Sequence, residues 1–202
     1  LKHPRENKNY LGHTSQIEVL ENFLSSDRVP HAFLFSGPKG IGKATLAYHF
    51  AKAILTKFSD TPTVSSEPDE PPSFDLFGEP ELPKTESKSS GGKEPITKQT
   101  SRHAERVENN LHTDMFIIDS DEQEKNDIKI DDVRKLYGFI SLTPSESNAR
   151  VVIIDSADHL NNNASNAILK ILEEPTKNTF IILISHKPAF ILPTIKSRCR
   201  EI

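Results

Sequence analysis

Cysteine and tryptophan are nearly missing from these 202 residues: there is one cysteine, Cys199, and no tryptophan. A lone cysteine excludes an internal disulfide and any cysteine-rich zinc site, and it fits a reducing cytoplasm. Long apolar runs are also missing. No stretch approaches the roughly 20 residues a membrane helix needs, and the opening LKHPRENKNY has no signal-peptide core. The third absence is an excess of positive charge: 25 Lys and Arg stand against 29 Asp and Glu, for a net charge of -4. Proteins that hold nucleic acid by a general field need clustered cations to displace counterions, so any contact with DNA is expected to be local or indirect. The sequence reads as a soluble, cytoplasmic protein without a membrane segment. Its length allows one well-buried domain rather than two large cores. The chain opens without Met and stops just after an apparent strand start at Arg200, Glu201 and Ile202, so further sequence is expected after Ile202.

What is present falls into three stretches. The first, to about Lys57, carries a helical pattern (Ile17, Leu20, Phe23, Leu24), an apolar run from His31 to Phe35, a glycine-rich turn, and a second helix with Leu46, Phe50, Ile54 and Phe58 on one face. From about 59 to 100 the composition turns to Pro, Ser, Glu, Asp and Lys, including Pro62, Pro68, Pro71, Pro72, Pro80, Pro83 and Pro95. Such a segment buries too little apolar area to offset its ordering entropy, and it is expected to be a disordered insertion, with a helical return around Ser101 to Asn109. The third stretch predicts strands at Met115–Ile118, Val151–Ile154 and Phe180–Ile184. Between them fall a capped helix through Asp131, Val133, Leu136, Tyr137 and Ile140 and another through Ala164, Ala167, Ile168, Ile171 and Leu172. Apolar strands alternating with amphipathic helices predict an α/β fold: a parallel sheet of about five strands covered on both faces.

Gly37-Pro38-Lys39-Gly40-Ile41-Gly42-Lys43-Ala44 matches the P-loop pattern except at its last position. Glycines let successive N–H groups turn toward phosphate oxygens, the following helix adds positive potential at its amino end, and Lys43 reaches the β and γ phosphates. The missing Ser or Thr would give its hydroxyl to Mg²⁺. Ala44 has none, and Thr45, about 100° further round the helix, is expected to point elsewhere. Asp155, at the end of Val151–Ile154, can bind Mg²⁺ through water, but the residue after it is Ser156, whose hydroxyl cannot act as a base near neutral pH. Asp158 belongs to the turn beyond.

The order GPKGIGKATLA, HTDMFIID, SLTP, VVIIDSADHLN, ASNAILKILEEP, NTFIILISHKP and LPTIKSRC resembles bacterial clamp-loader subunits of the AAA+ (RecA-like) P-loop class. Ser156, where hydrolysing relatives carry the Glu that polarises the attacking water, and the IDSADHLN wording resemble the delta-prime branch of DNA polymerase III rather than the motor subunits, gamma and tau. The resemblance implies a subunit of a DNA-directed DNA polymerase holoenzyme that helps load the sliding clamp in DNA replication. Such a subunit does not hydrolyse ATP but supplies Arg198, of the Ser197-Arg198-Cys199 triplet, in trans to the ATP of a neighbour. It also implies that Leu11, Gly12 and His13 lie where the family's amino-terminal segment meets adenine, and that Ser185 lies where relatives keep a polar γ-phosphate sensor. Gly37, Gly40, Gly42, Lys43, Thr45 and Asp155 form a degenerate nucleotide site with weak ATP or ADP binding. The implied partners are gamma or tau, delta, and primed DNA reached through the assembly. The four-cysteine zinc module usual in the family is not expected, since the insertion stands in its place. Lid and collar domains are expected after residue 202.

Within the insertion, Ser73-Phe74-Asp75-Leu76-Phe77 is similar to short clamp-binding peptides without their leading Gln. Phe74, Leu76 and Phe77 are candidate anchors, either on the sliding clamp or folded back on this domain. Two enzymatic alternatives stand beside the non-hydrolysing reading. One is an active P-loop ATPase using Thr45 and Asp158 in unusual roles, and the other is a P-loop kinase, for which no substrate lid is visible.

Overall fold

The computed structural model describes residues 12–26, 28–59, 112–119 and 127–202. Most of the expected insertion, the helical return after Ser101, and the candidate anchors Phe74, Leu76 and Phe77 lie outside the described residues, as does Leu11.

Among the described residues the predicted elements are present. Helix α1 (Thr14–Ser25) leads to strand β1 (Ala32–Ser36) and helix α2 (Lys43–Ser59), which runs two residues further than the first stretch of the sequence suggests. Strand β2 (Met115–Ile118) is followed by α3 (Ile130–Ser141), β3 (Arg150–Ile154) and α4 (Asn162–Glu173). Then come β4 (Thr179–Ser185), the short α5 (Pro193–Lys196) and β5 (Arg200–Glu201). Two helix starts are capped as their sequences allow. The Asn161 side chain accepts from Ala164 N–H at 2.9 Å, and the Asp132 carboxylate accepts from Lys129 N–H at 3.2 Å, each satisfying a backbone donor that the helix leaves open.

The five strands form one sheet in the order β2-β3-β4-β1-β5, and every neighbouring pair is parallel. Side chains alternate between its faces, as strand geometry requires. Ala32, Leu34, Val152, Ile154, Ile181 and Leu183 pack with Val133, Leu136, Ile168 and Ile171 from α3 and α4. Phe33, Phe35, Val151, Ile153, Ile182 and Ile184 pack with Leu46, Phe50 and Ile54 from α2. The second face carries an aromatic seam, in which Phe33 meets Phe50 edge-on at 4.8 Å between centroids and Phe23 at 5.8 Å.

Sheet polarity positions the functional elements. The carboxyl ends of β1, β4 and β3 lie side by side, so the loops after Ser36, Ser185 and Ile154 converge on one crevice, the place where open α/β sheets bind ligands. The amino ends form the opposite rim, where α4 ends ahead of β4 and the Ser197–Cys199 turn precedes β5. Among the described residues no helix is long and apolar enough to cross a membrane.

Candidate nucleotide site and arginine turn

The P-loop has the backbone its glycines predict. Gly37, Gly40 and Gly42 take φ values of 145°, 91° and 96°, a region that side chains with a Cβ rarely enter. A Cβ at Gly37 would also stand 3.1 Å from Ile41 Cδ1. The loop opens directly into α2, 17 residues long, so unpaired N–H groups and the positive end of the helix dipole face the crevice. His13 reaches in from the start of α1, its Nε2 2.6 Å from the Ile41 carbonyl oxygen, and Gly42 lies beneath the same ring. His13 thereby fixes the loop, and Gly12 beside it has a φ of 89°.

Lys43 is buried and donates from Nζ to the carbonyl oxygens of Gly37 and Pro38, both at 2.6 Å. Burial pulls its pKa below the ordinary lysine value, while the negative fields of Asp155 and Asp158 act in the opposite direction. To meet any phosphate, Lys43 Nζ would have to leave the Gly37 and Pro38 carbonyl oxygens that hold it. Ala44 is half-buried against the second core and offers no hydroxyl, and Thr45 is buried.

The acids of the crevice divide by environment. Asp155 Oδ1 lies 3.7 Å from His186 Nε2, which makes His186 a site residue that sequence reasoning passed over; its only signal was its place directly after the β4 end. Asp158 lies in a short 3-10 turn (Ala157–His159), as expected, but its carboxylate turns inward and accepts from the His186 backbone N–H at 2.8 Å. Burial pushes its pKa up. Backbone N–H donors at His186 and at Asp158 itself, with the Ser185 hydroxyl and the His186 ring, outweigh that and hold it below the ordinary carboxylate value. A depressed, occupied carboxylate is a poor base. Ser156 is buried with φ 60° and ψ 50°, a left-handed conformation uncommon outside glycine.

Arg198 sits on the opposite rim. Its turn is pinned by Cys199, which packs against the first core and whose thiol burial pushes up to about 12. The guanidinium stays at the surface: Nη1 donates to the Thr194 carbonyl oxygen at 2.9 Å and to Ser197 Oγ at 3.3 Å, and Nη2 lies 2.7 Å from Glu173 Oε1. β5 pairs Arg200 with Phe33. Gly37 lies four residues beyond Phe33, about 13 Å along the strand at ~3.3 Å per residue, whereas Arg198 lies before Arg200 on the other side of that register. Arg198 is therefore not placed to serve its own P-loop.

A profile of the family described as DNA polymerase III, delta subunit, matches residues 12–69 and 84–202. This chain belongs to that family. It is 35% identical to the DNA polymerase III subunit delta' of Pseudomonas aeruginosa over 169 residues, 84% of this chain and 41% of that one. It is 31% identical to subunit delta' of Bacillus subtilis over 186 residues, 92% of this chain and 45% of that one. The chain thus spans less than half the length of these relatives. The Thermotoga maritima RuvB Holliday junction branch migration motor superposes with a TM-score of 0.50 at 15% identity, covering 99% of this chain and 48% of that one, a likeness of fold alone.

Proposed function

We propose that this chain is the P-loop domain of a delta-prime-type clamp-loader subunit that assembles with gamma or tau and with delta, and acts on primed DNA through that assembly. In this reading it does not hydrolyse ATP and instead lends Arg198 to the ATP of an adjacent subunit. The observation that supports it most is the polarity of the sheet. Arg198 is exposed at the amino rim, away from its own loop, while at the carboxyl rim Ala44 offers no hydroxyl to Mg²⁺ and Ser156 offers no base to activate water. A guanidinium is protonated at all physiological pH values and spreads positive charge over transferring phosphate oxygens.

The crevice suits a phosphate chain better than a metal. Gly37, Gly40, Gly42 and Lys43 would cradle phosphates, and Asp155, with His186 beside it, is the remaining acid for a hydrated Mg²⁺; Thr45 adds nothing from its buried position. Weak ATP or ADP binding with little dependence on Mg²⁺ is the expectation. Titration of nucleotide with and without Mg²⁺ tests it, and a large gain from the metal would contradict it.

The test of the main reading is ATP turnover by a loader assembled from full-length subunits. Arg198→Ala should slow hydrolysis by roughly 10³ or more, the usual cost of losing such an arginine, while Lys43→Ala leaves it nearly unchanged. Equal large losses from both would sink the trans role. Robust turnover by the isolated subunit, abolished by Lys43→Ala, would favour an ATPase acting at its own P-loop.

Phe74, Leu76 and Phe77 fall in the interval that the family profile leaves unmatched, so clamp binding through them would belong to this chain rather than to the family at large. A peptide spanning Pro72 to Gly78 should bind the sliding clamp saturably at sub-millimolar concentration; no such binding would remove the idea.

A further inference from the structure

We propose that Glu173 is the positioning residue for Arg198, an inference that rests on the trans role just described. Two anchors from different elements hold the guanidinium: the Thr194 carbonyl of α5 takes Nη1 at 2.9 Å, and the Glu173 carboxylate at the end of α4 lies 2.7 Å from Nη2. The helix α4 is itself tied down, at its end and at its middle. His31, just before β1, places Nε2 3.0 Å from the Leu172 carbonyl oxygen, and the Tyr137 hydroxyl donates to the Ala167 carbonyl at 2.9 Å. Glu173 therefore reaches out from a fixed framework.

Fold stability gives this pair little reason to exist. The side chains of Arg198 and Glu173 are 36% and 50% exposed, and ion pairs of that kind add almost nothing to folding. What the pair does supply is orientation. An unpaired arginine explores many rotamers, and ordering it during the reaction carries an entropic cost that a pre-formed pair removes. The Nε–H and the second Nη2–H take no partner among the described residues, which leaves donors for phosphate oxygens. The carboxylate's negative charge opposes an approaching phosphate, but at half exposure water screens it, so the gain in orientation outweighs the repulsion.

The experiment compares Glu173→Ala, Glu173→Gln, Arg198→Ala and the double variant Glu173→Ala/Arg198→Ala in the full-length subunit, each assembled into the loader. Glu173→Ala should lower kcat for ATP roughly three- to tenfold, the scale of fixing one rotamer-rich side chain, with KM for ATP unchanged because the arginine acts on the transition state. Glu173→Gln, whose amide oxygen still accepts, should stay within about twofold of the parent. In the Arg198→Ala background, Glu173→Ala should cost nothing further, as expected of two residues that act as one unit. A slow Arg198→Ala loader with a silent or faster Glu173→Ala loader would overturn the positioning role while sparing the arginine. An unchanged penalty for Glu173→Ala in the double variant would also overturn it. A silent Arg198→Ala would remove the trans role and this inference together.

Discussion

Asp114, just ahead of β2, anchors the turn at residues 145–147. Its buried carboxylate accepts from the backbone N–H groups of Ser145 at 2.7 Å, Glu146 at 2.8 Å and Ser147 at 2.7 Å, and from Ser147 Oγ at 3.2 Å. It also supplies the negative field that partly offsets the burial of Arg150, whose guanidinium is pulled below its ordinary pKa by desolvation. Replacing Asp114 with Ala removes all of this. Hydrogen bonds to a charged group are worth about 1.5–3 kcal/mol each. Ser145 is exposed, so its N–H returns to water at little cost, whereas Ser147 is buried and Glu146 half-buried. Two orphaned donors and a less compensated Arg150 put the loss at about 3–5 kcal/mol, a large part of the roughly 5–15 kcal/mol that holds a domain. Asp114→Asn keeps one acceptor oxygen but turns an NH₂ group toward other donors, so about half that loss is expected. Urea unfolding followed by circular dichroism measures both, with an unchanged m-value as the sign that stability alone has moved. A loss under about 1 kcal/mol for Asp114→Ala would refute the assignment.

Cys199 should be inert toward thiol reagents in the folded chain at neutral pH, because burial pushes its thiol up to about 12; labelling as fast as that of the unfolded chain would contradict it. The same shift has a stability sign: the folded form keeps its proton after the unfolded thiol has lost it. The contribution is therefore full below about pH 8.5 and falls by up to ~1.4 kcal/mol per pH unit toward 12, a slope that Cys199→Ala should remove. Asp158 behaves oppositely. Its lowered pKa gives stability that is present above about pH 4 and is lost as pH falls through the depressed folded value. Asp158→Asn should therefore flatten the acid limb of the unfolding curve, and an unaltered limb would show that the His186 amide contact does not stabilise the ionised form.

Much of the fold was legible because its elements obey simple periods. Leu46, Phe50 and Ile54 recur on one face of α2, and the runs at β2, β3 and β4 fall within a residue or two of their predicted limits. The strand order was not legible, since local pattern does not say that β4 inserts between β1 and β3. The P-loop could be read because its chemistry lies in consecutive residues. His186 against Asp155, Glu173 against Arg198 and Asp114 beneath the 145–147 turn could not, because each pair is separated by between 25 and 33 residues and meets only through the crossovers. Arg198 shows the limit from the other side. Its motif marked it, yet the ion pair and helix-end contact that occupy it are properties of packing alone.

The separation of the two rims has a physical consequence for how this domain can change. In a parallel sheet every strand points the same way, so phosphate-binding loops gather at one end and the turns that feed the strands gather at the other. Lys43 and Arg198 share no hydrogen-bond partner among the described residues: Lys43 bonds to Gly37 and Pro38, while Arg198 contacts Thr194, Ser197 and Glu173. Substitutions at such distant, independent sites combine additively, so groups at the carboxyl rim can be lost without disturbing the amino rim. The glycine backbone of the loop is another matter. It is held by His13 and leads into α2, whose Leu46, Phe50 and Ile54 fill the second core, so the cradle persists for reasons of packing whether or not phosphate ever enters it.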